Sequence, residues 1–173
     1  ARFLLFISFF PQLIQGPINR YGAMEPQLTA AHSWEWERTK RALFVILFGA
    51  MKKYAIANLT APTIAAILDR NDPTLAGSMA LLAILLYSLQ QYADFSGGID
   101  ITRGVARLFG IDMAENFRRP IFATSLTDYW RRWHITLGAW MRDYVFYPIS
   151  LSRGFGKLSR WARTHIGGTA GKI

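Results

Sequence analysis

The chain has 173 residues, of which 51% are hydrophobic and 18% are charged, and its net charge is +9. It contains no cysteine, which excludes disulfides and thiolate chemistry within it. A basic balance suits either nucleic acid or the inner face of a membrane. Because the basic residues lie among Trp, Phe and Leu and beside an uncharged stretch, we favour the lipid bilayer and expect no nucleic-acid partner.

The first segment is apolar and uncharged from Phe3 to Ile18, but Pro11 and the Gly16-Pro17 pair interrupt it. This pattern predicts the end of a membrane helix that runs into a structured turn. The chain opens inside this apolar run without Met and ends in a glycine-rich segment. We therefore expect a piece of a longer polypeptide, truncated at both ends.

A second apolar segment follows the polar stretch that ends at Arg41. The residues from Ala42 to Met51 are apolar but too few to span a bilayer alone. Continued through Lys52 and Lys53 to Leu59, they predict one helix. Its lysines would then snorkel to the interface or face a wet cavity.

The strongest predicted membrane span runs from Thr74 to Ala93 and carries no formal charge. As a helix it would be about 30 Å long, which matches the hydrocarbon thickness of a bilayer. Asp72 suits its N-cap and Pro73 its first helical position. We predict that it ends where Gly97-Gly98 permits a sharp reversal of the chain.

The remaining segments predict shorter helices. Ile99 to Phe109 has an amphipathic pattern, typical of a helix that lies at the membrane surface or packs under a bundle. Ser125 to Met141 has aromatic residues at helical spacing but is too polar to face lipid all round. Tyr144 to Ser152, with Pro148, is re-entrant or begins another helix. The fold class is an all-α membrane protein: a multi-helix transmembrane bundle with re-entrant and interfacial amphipathic helices.

Four stretches, taken in order, carry a resemblance to a known family. They are FPQLIQGPINR (10–20) with EPQL (25–28), YADFSGGIDI (92–101), FGI (109–111) with ENFRRP (115–120), and YWRRWHITL (129–137) with WMRDYVFYP (140–148). These resemble the membrane-bound O-acyltransferases, nearest to the branch with the alginate O-acetylation and teichoic-acid D-alanylation membrane proteins. The similarity covers about Phe6 to Arg153 and implies that residues 1–173 are part of a single transmembrane domain of this kind.

The resemblance implies an enzyme that transfers an acyl group, with acetyl as the first candidate. The group would move from a cytoplasmic donor to a cell-surface polysaccharide or to a partner transferase outside the cytoplasm. It implies acyl-coenzyme A or an acyl carrier protein as donor, no bound cofactor or metal, and a multi-pass protein of the plasma membrane. D-alanyl transfer to teichoic acid is one alternative. A non-enzymatic transporter or scaffold is another, and it explains the apolar spans but not the four ordered motifs. Only the charge suggests a nucleic-acid-binding module.

Histidine is the residue type best suited to catalyse acyl transfer to a hydroxyl. A hydroxyl is a weak nucleophile at neutral pH and needs a general base, which imidazole can supply. The family's main catalytic histidine lies in a Trp-His-Gly setting, whereas none of His32, His134 and His165 is followed by Gly. We therefore expect the main catalytic histidine to lie beyond Ile173. We also expect the 173 residues alone to have no acyltransferase activity. The resemblance implies that His134, which follows Trp133, is a supporting catalytic residue at a position where many relatives have Asn. The sequence pattern alone, without the resemblance, favours a histidine at the membrane interface with no chemical role.

Four neighbours of this histidine are predicted to bind substrate. Arg131 and Arg132 could hold a phosphate of coenzyme A or an acidic carrier protein. Interfacial snorkelling beside Trp130 and Trp133 explains the same pattern equally well. His32 and His165 are expected to be solvated in polar loops.

Three further predictions concern polar residues elsewhere. Asp94 and Ser96 could line a substrate tunnel, although a plain helix-terminal turn is the simpler interpretation. Asp143 is expected to form a local buried ion pair with Arg142. The run from Arg153 to Lys172 has basic but no acidic residues, which predicts a cytoplasmic loop.

Overall fold

The computed structural model describes residues 1–68 and 77–165, except for the side chain of Arg163. Its regular elements there are helices, with no extended strand in these ranges, as the all-α class predicts. The helix start predicted at Asp72 and Pro73 lies outside the described residues, as do Thr74 and residues 166–173. Two compact units, Ala1–Arg118 and Arg119–Ile173, are described in turn.

The first unit begins with short helices separated by turns. Helix α1 (Arg2–Ser8) is followed by a 3₁₀ turn at Phe10–Gln12, with Pro11 near its start, and then by α2 (Tyr21–Thr29). The predicted interruption of the apolar run at Pro11 is therefore confirmed. A small apolar core holds this region together, and its buried members are Phe9, Met24, Ala106, Ile111 and Met113.

The second apolar segment is one long helical stretch. It consists of α3 (Trp36–Ala50), a π-helical section (Met51–Ala57) and α4 (Asn58–Leu68). Both lysines lie inside it, which confirms the predicted continuity. Within the described ranges, Trp36–Leu68 is the one helix long and apolar enough to cross a membrane, judged by length and composition only.

The strongest predicted span, Thr74–Ala93, begins at residues that the structure does not describe. Its described residues belong to α5 (Gly77–Leu108), a helix of 32 residues.

The predicted reversal at Gly97-Gly98 is wrong, because α5 runs straight through both glycines. The predicted separate helix from Ile99 to Phe109 is consequently the last part of α5. Gly97 instead permits close packing against α3. A Cβ on Gly97 would lie 2.7 Å from the carbonyl oxygen of Gly49, and a Cβ on Gly49 would lie 2.6 Å from that of Gly97.

Helix α5 ends where the sequence predicts, at Gly110. This residue has φ of 80°, which a side chain would disfavour. The N–H of Ile111 donates to the carbonyl of Ala106 at 3.0 Å, and the N–H of Gly110 donates to that of Arg107 at 3.0 Å. This pair of hydrogen bonds is the Schellman ending of a helix.

The second unit is a succession of short helices. They are a 3₁₀ turn (Pro120–Phe122), α6 (Leu126–Arg132), α7 (Ile135–Met141), a π-helical section (Arg142–Phe146), α8 (Tyr147–Ser150) and α9 (Arg153–His165). The single helix predicted from Ser125 to Met141 is therefore broken, at Trp133-His134. The described part of the basic run that begins at Arg153 is helical, since α9 occupies residues 153–165.

Candidate active site

A network of hydrogen bonds fixes the helix that leads to His134. The Ser125 hydroxyl accepts the N–H of Asp128 at 3.1 Å and so caps the N-terminus of α6. The Asp128 carboxylate accepts the N–H of Thr124 at 3.2 Å. The same carboxylate accepts the Nε–H of Arg132, one turn later, at 2.9 Å. The start and the end of this two-turn helix are thus tied to one acidic side chain.

The chain leaves the helical conformation after Arg132. The N–H of Trp133 closes the last turn of α6 by donating to the carbonyl of Tyr129 at 2.9 Å, and Trp133 itself is extended. His134 then adopts a left-handed conformation, with φ of 45° and ψ of 51°. Its carbonyl accepts N–H groups from Leu137 at 3.0 Å and Gly138 at 3.1 Å, which begins α7. His134 is therefore the residue at which one helix ends and the next begins.

The left-handed conformation restricts which residues suit position 134. Non-glycine residues rarely adopt it, and Asn, Asp and His are several-fold enriched among those that do. The exchange between His and Asn that the family resemblance implies at this position is compatible with that restriction. A residue with only a Cβ methyl group fits less well, because nothing local compensates for its strain.

The imidazole of His134 is half-buried. Desolvation by this burial lowers the pKa of His134 below its usual value near 6.5. The side chain is therefore predominantly neutral at pH 7, the form that can accept a proton or a hydrogen bond. Beside it, the Trp133 ring stacks on Tyr129, with ring centroids 5.7 Å apart and an angle of 15° between the planes.

The two arginines before Trp133 differ in their surroundings. Arg132 is held by Asp128, and this hydrogen bond is the main reason that the pKa of Asp128 lies below its usual range. Arg131 is exposed, as is its neighbour Trp130. Of the two, Arg131 has the better access to a phosphate or an acidic protein. The sequence pattern alone does not distinguish the role of Arg131 from that of Arg132.

Asp94 and Ser96 lie in the first unit, in the interior of α5 and not at a helix end. The predicted helix-terminal turn is therefore wrong. Asp94 accepts from the ammonium of Lys53 at 2.5 Å, and the buried Ser96 hydroxyl accepts from Lys52 Nζ at 2.9 Å. Both candidate substrate contacts are engaged by lysines of the neighbouring helical stretch.

Sequence reasoning missed the partner of Lys52. Its ammonium lies 2.6 Å from the Asp100 carboxylate and 5.1 Å and 5.8 Å from the ring centroids of Phe48 and Tyr92. The predicted snorkelling of the two lysines is replaced by ion pairing with α5. The usable signal was the presence of two lysines in one apolar segment and two aspartates in another.

Three other polar predictions can be compared with the structure. Arg142 and Asp143 do form an ion pair at 3.1 Å, but the predicted burial is wrong because their side chains are 58% and 40% exposed. His32 is exposed, as predicted, and its Nε2 lies 2.6 Å from the Gln27 carbonyl oxygen. His165 ends α9, not a polar loop, and stacks on Trp161. Within the described ranges, no group of three or more His, Asp or Glu side chains is placed to hold a metal ion.

The sequence matches known proteins along most of its length. Residues 1–166 match the membrane-bound O-acyltransferase family. The chain is 37% identical to a protein named peptidoglycan O-acetyltransferase from Helicobacter pylori, over 87% of its own length and 29% of the relative's. It is 34% identical to a protein named "probable alginate O-acetylase" from Azotobacter vinelandii (88% and 30%) and 34% identical to one named teichoic acid D-alanyltransferase from Bacillus subtilis (84% and 37%). It thus spans about a third of the length of these curated relatives.

Proposed function

The chain belongs to the membrane-bound O-acyltransferase family, and we propose that this protein transfers an acyl group, acetyl foremost, from a cytoplasmic donor to hydroxyls outside the cytoplasm. The acceptor is a cell-surface polysaccharide or a partner transferase that passes the group on. Two of the relatives named above carry names that specify O-acetyl transfer, to peptidoglycan and to alginate. Their similarity supports the proposal because it extends over the whole stretch that carries His134.

The observation that carries the proposal is the conformation and state of His134. Its imidazole is held at the junction of two helices, beside the stacked rings of Trp133 and Tyr129. Partial burial lowers the pKa of His134 and so favours its neutral form. A neutral imidazole can orient a hydroxyl by accepting its proton in a hydrogen bond, and it can also donate from its other nitrogen.

The proposed reaction is a displacement at an acyl carbon. The acceptor hydroxyl oxygen forms a bond to the acyl carbon of a thioester, the C–S bond breaks, and the hydroxyl proton passes through a base to the leaving thiolate. The resemblance assigns the main base to a histidine in a Trp-His-Gly setting, which none of the three histidines in this chain has. His134 is proposed as a supporting group that orients the hydroxyl, and Arg131 as a contact for the donor's phosphate or for an acidic carrier.

The protein is proposed to cross the plasma membrane several times. Trp36–Leu68 supplies one helix suited to this by length and composition. The basic run after Arg153 favours the cytoplasmic side for the end of the chain, because Lys and Arg are enriched in cytoplasmic loops. Labelling of a single cysteine at position 160 by an impermeant reagent from outside intact cells would contradict this topology.

D-alanyl transfer to teichoic acid is the second candidate, supported by the 34% identity to the relative of that name. The two candidates differ in the donor and acceptor that they need. The intact protein, reconstituted in vesicles, should be supplied in parallel with labelled acetyl-coenzyme A plus polysaccharide and with a D-alanyl carrier protein plus teichoic acid. Label in the polysaccharide supports acetyl transfer; label in teichoic acid alone supports D-alanylation; no transfer in either reaction, from protein that is inserted and folded, contradicts both.

A further inference from the structure

Helix α9 has two chemically distinct faces. The apolar side chains Phe155, Leu158 and Trp161 follow each other at three-residue intervals and therefore share one face. They are 37%, 57% and 53% exposed. Helical spacing places Arg153, Lys157 and Arg160 on the opposite face. This helix therefore presents a large apolar surface that the described residues of its unit leave largely uncovered.

The charge on the polar face has a single sign. No acidic residue occurs between Arg153 and Lys172, so nothing in that part of the sequence offsets the basic side chains. The residues just before α9 extend the apolar surface, because Leu151 is 81% exposed and Ile149 is 55% exposed. An occupant of this surface must accept apolar side chains and positive charges side by side.

An anionic phospholipid surface meets both requirements. A helix of this kind lies in the plane of the interface, with its apolar face in the acyl-chain boundary and its basic face toward the headgroups. Anionic lipids attract each basic residue near the surface, and tryptophan is enriched at the headgroup level. Another protein helix could cover the apolar face, but it would not explain why all the charges on the polar face are positive. The Trp161 ring, stacked on His165 at 5.0 Å, combines an apolar body with a polar edge as interface residues do.

We propose that α9 is an interfacial helix that binds an anionic phospholipid leaflet. Phe155, Leu158 and Trp161 enter the acyl-chain boundary, and Arg153, Lys157 and Arg160 contact the lipid phosphates. The helix thereby fixes the depth at which the second unit meets the membrane. This inference uses the membrane setting of the family but does not depend on the reaction or on the acceptor.

The test places a fluorescent probe on each face of α9 in the intact protein. Cysteine is introduced by Leu158→Cys or, as the matched control on the basic face, by Lys157→Cys, in a background with no other cysteine. Each labelled protein is reconstituted in phosphatidylcholine vesicles with or without phosphatidylglycerol, and quenching by nitroxide-labelled lipid is measured. The probe at position 158 should be quenched more strongly than the probe at 157, and more strongly when phosphatidylglycerol is present.

A charge variant tests the anionic preference. Arg153→Gln, Lys157→Gln and Arg160→Gln together should abolish the extra quenching by phosphatidylglycerol, since each charge removed lowers the ratio of inserted to free helix about five-fold. Equal quenching at 158 in both lipid mixtures would overturn the preference for anionic lipid. A probe at 158 shielded from both lipid nitroxide and aqueous iodide would show that protein, such as an acidic carrier or another part of the molecule, covers this face, and would overturn the proposal.

Discussion

The ammonium of Lys52 lies 2.6 Å from the carboxylate of Asp100 on the neighbouring helix. Both side chains are largely buried, with 10% and 20% of their surfaces exposed. Lys52 lies in the stretch Trp36–Leu68, which is apolar enough to cross a membrane. A charge in such a position requires a partner or a wet cavity, and Asp100 supplies the partner. The pair therefore fixes how α5 lies against this helical stretch.

Removing one member of this ion pair should destabilise the protein more than removing both. Lys52→Met leaves the Asp100 carboxylate uncompensated, and we expect a loss of about 3–5 kcal/mol in the free energy of unfolding. The double variant Lys52→Met with Asp100→Leu should recover much of that loss, because no buried charge remains. Unfolding of the intact protein in detergent measures both.

The neighbouring pair of Lys53 and Asp94 provides the matched control. Their side chains are 27% and 35% exposed, so this pair is less deeply buried than Lys52 and Asp100. Lys53→Met should therefore cost less than Lys52→Met. An equal loss for Lys52→Met and Lys53→Met would contradict the special role assigned to the Lys52–Asp100 pair.

The contact between Gly49 and Gly97 predicts a steric effect. A Cβ at either position would come within 2.6–2.7 Å of the other residue's carbonyl oxygen, so the backbones must move apart. Gly97→Ala should therefore destabilise the packing of α3 on α5 by about 1–3 kcal/mol. Gly77→Ala is the control in the same helix, since a Cβ there meets no atom within 4 Å. It should be neutral or stabilising by up to about 1 kcal/mol, through helix propensity alone. Equal effects of the two substitutions would disprove the close approach.

These glycines show what sequence patterns can and cannot predict. Gly110 was correctly predicted to end a helix, because a glycine after an amphipathic run provides the left-handed residue that a helix C-terminus needs. Gly97 and Gly98 fit a turn equally well by their local freedom, but Gly97 serves the packing of two helices and Gly98 makes room for the side chain of Gln15. That choice depends on Gly49, which lies on another helix, and a local pattern does not contain it.

The candidate site shows the same limit. The aromatic spacing from Tyr129 to Trp140 correctly predicted helix on both sides of His134. The break at His134 could not be predicted, because histidine is not a residue that typically ends a helix. Only the observed φ of 45° at His134 reveals the break. Likewise, Arg131 and Arg132 are adjacent and identical in type. The hydrogen bond to Asp128 that separates them depends on the helix starting at Ser125.

The lowered pKa of His134 predicts a pH effect on stability. The folded-state pKa lies below the unfolded value of about 6.5, so the unfolded chain binds more protons between these two values. The stability contributed by keeping this imidazole neutral is present above about pH 6.5 and is lost as the pH falls through the folded-state pKa. We expect the stability advantage of wild type over His134→Asn to shrink on going from about pH 8 to about pH 5. Unfolding midpoints of both proteins across this range measure it. A pH-independent difference would show that burial does not shift this group.

The role of His134 in acyl transfer can be separated from its role in the backbone. His134→Ala removes the imidazole but also places alanine in a left-handed conformation, whereas His134→Gly removes the imidazole without that strain. Both should lower kcat/KM at least ~10-fold, since acid–base groups typically contribute 10²–10⁴-fold and a supporting group contributes less. His134→Asn should be milder, because asparagine tolerates the conformation and offers a hydrogen-bonding side chain. Transfer rates should be compared at equal amounts of inserted intact protein. An activity of His134→Gly equal to wild type would remove His134 from the site, and a loss confined to His134→Ala would assign it a purely structural role.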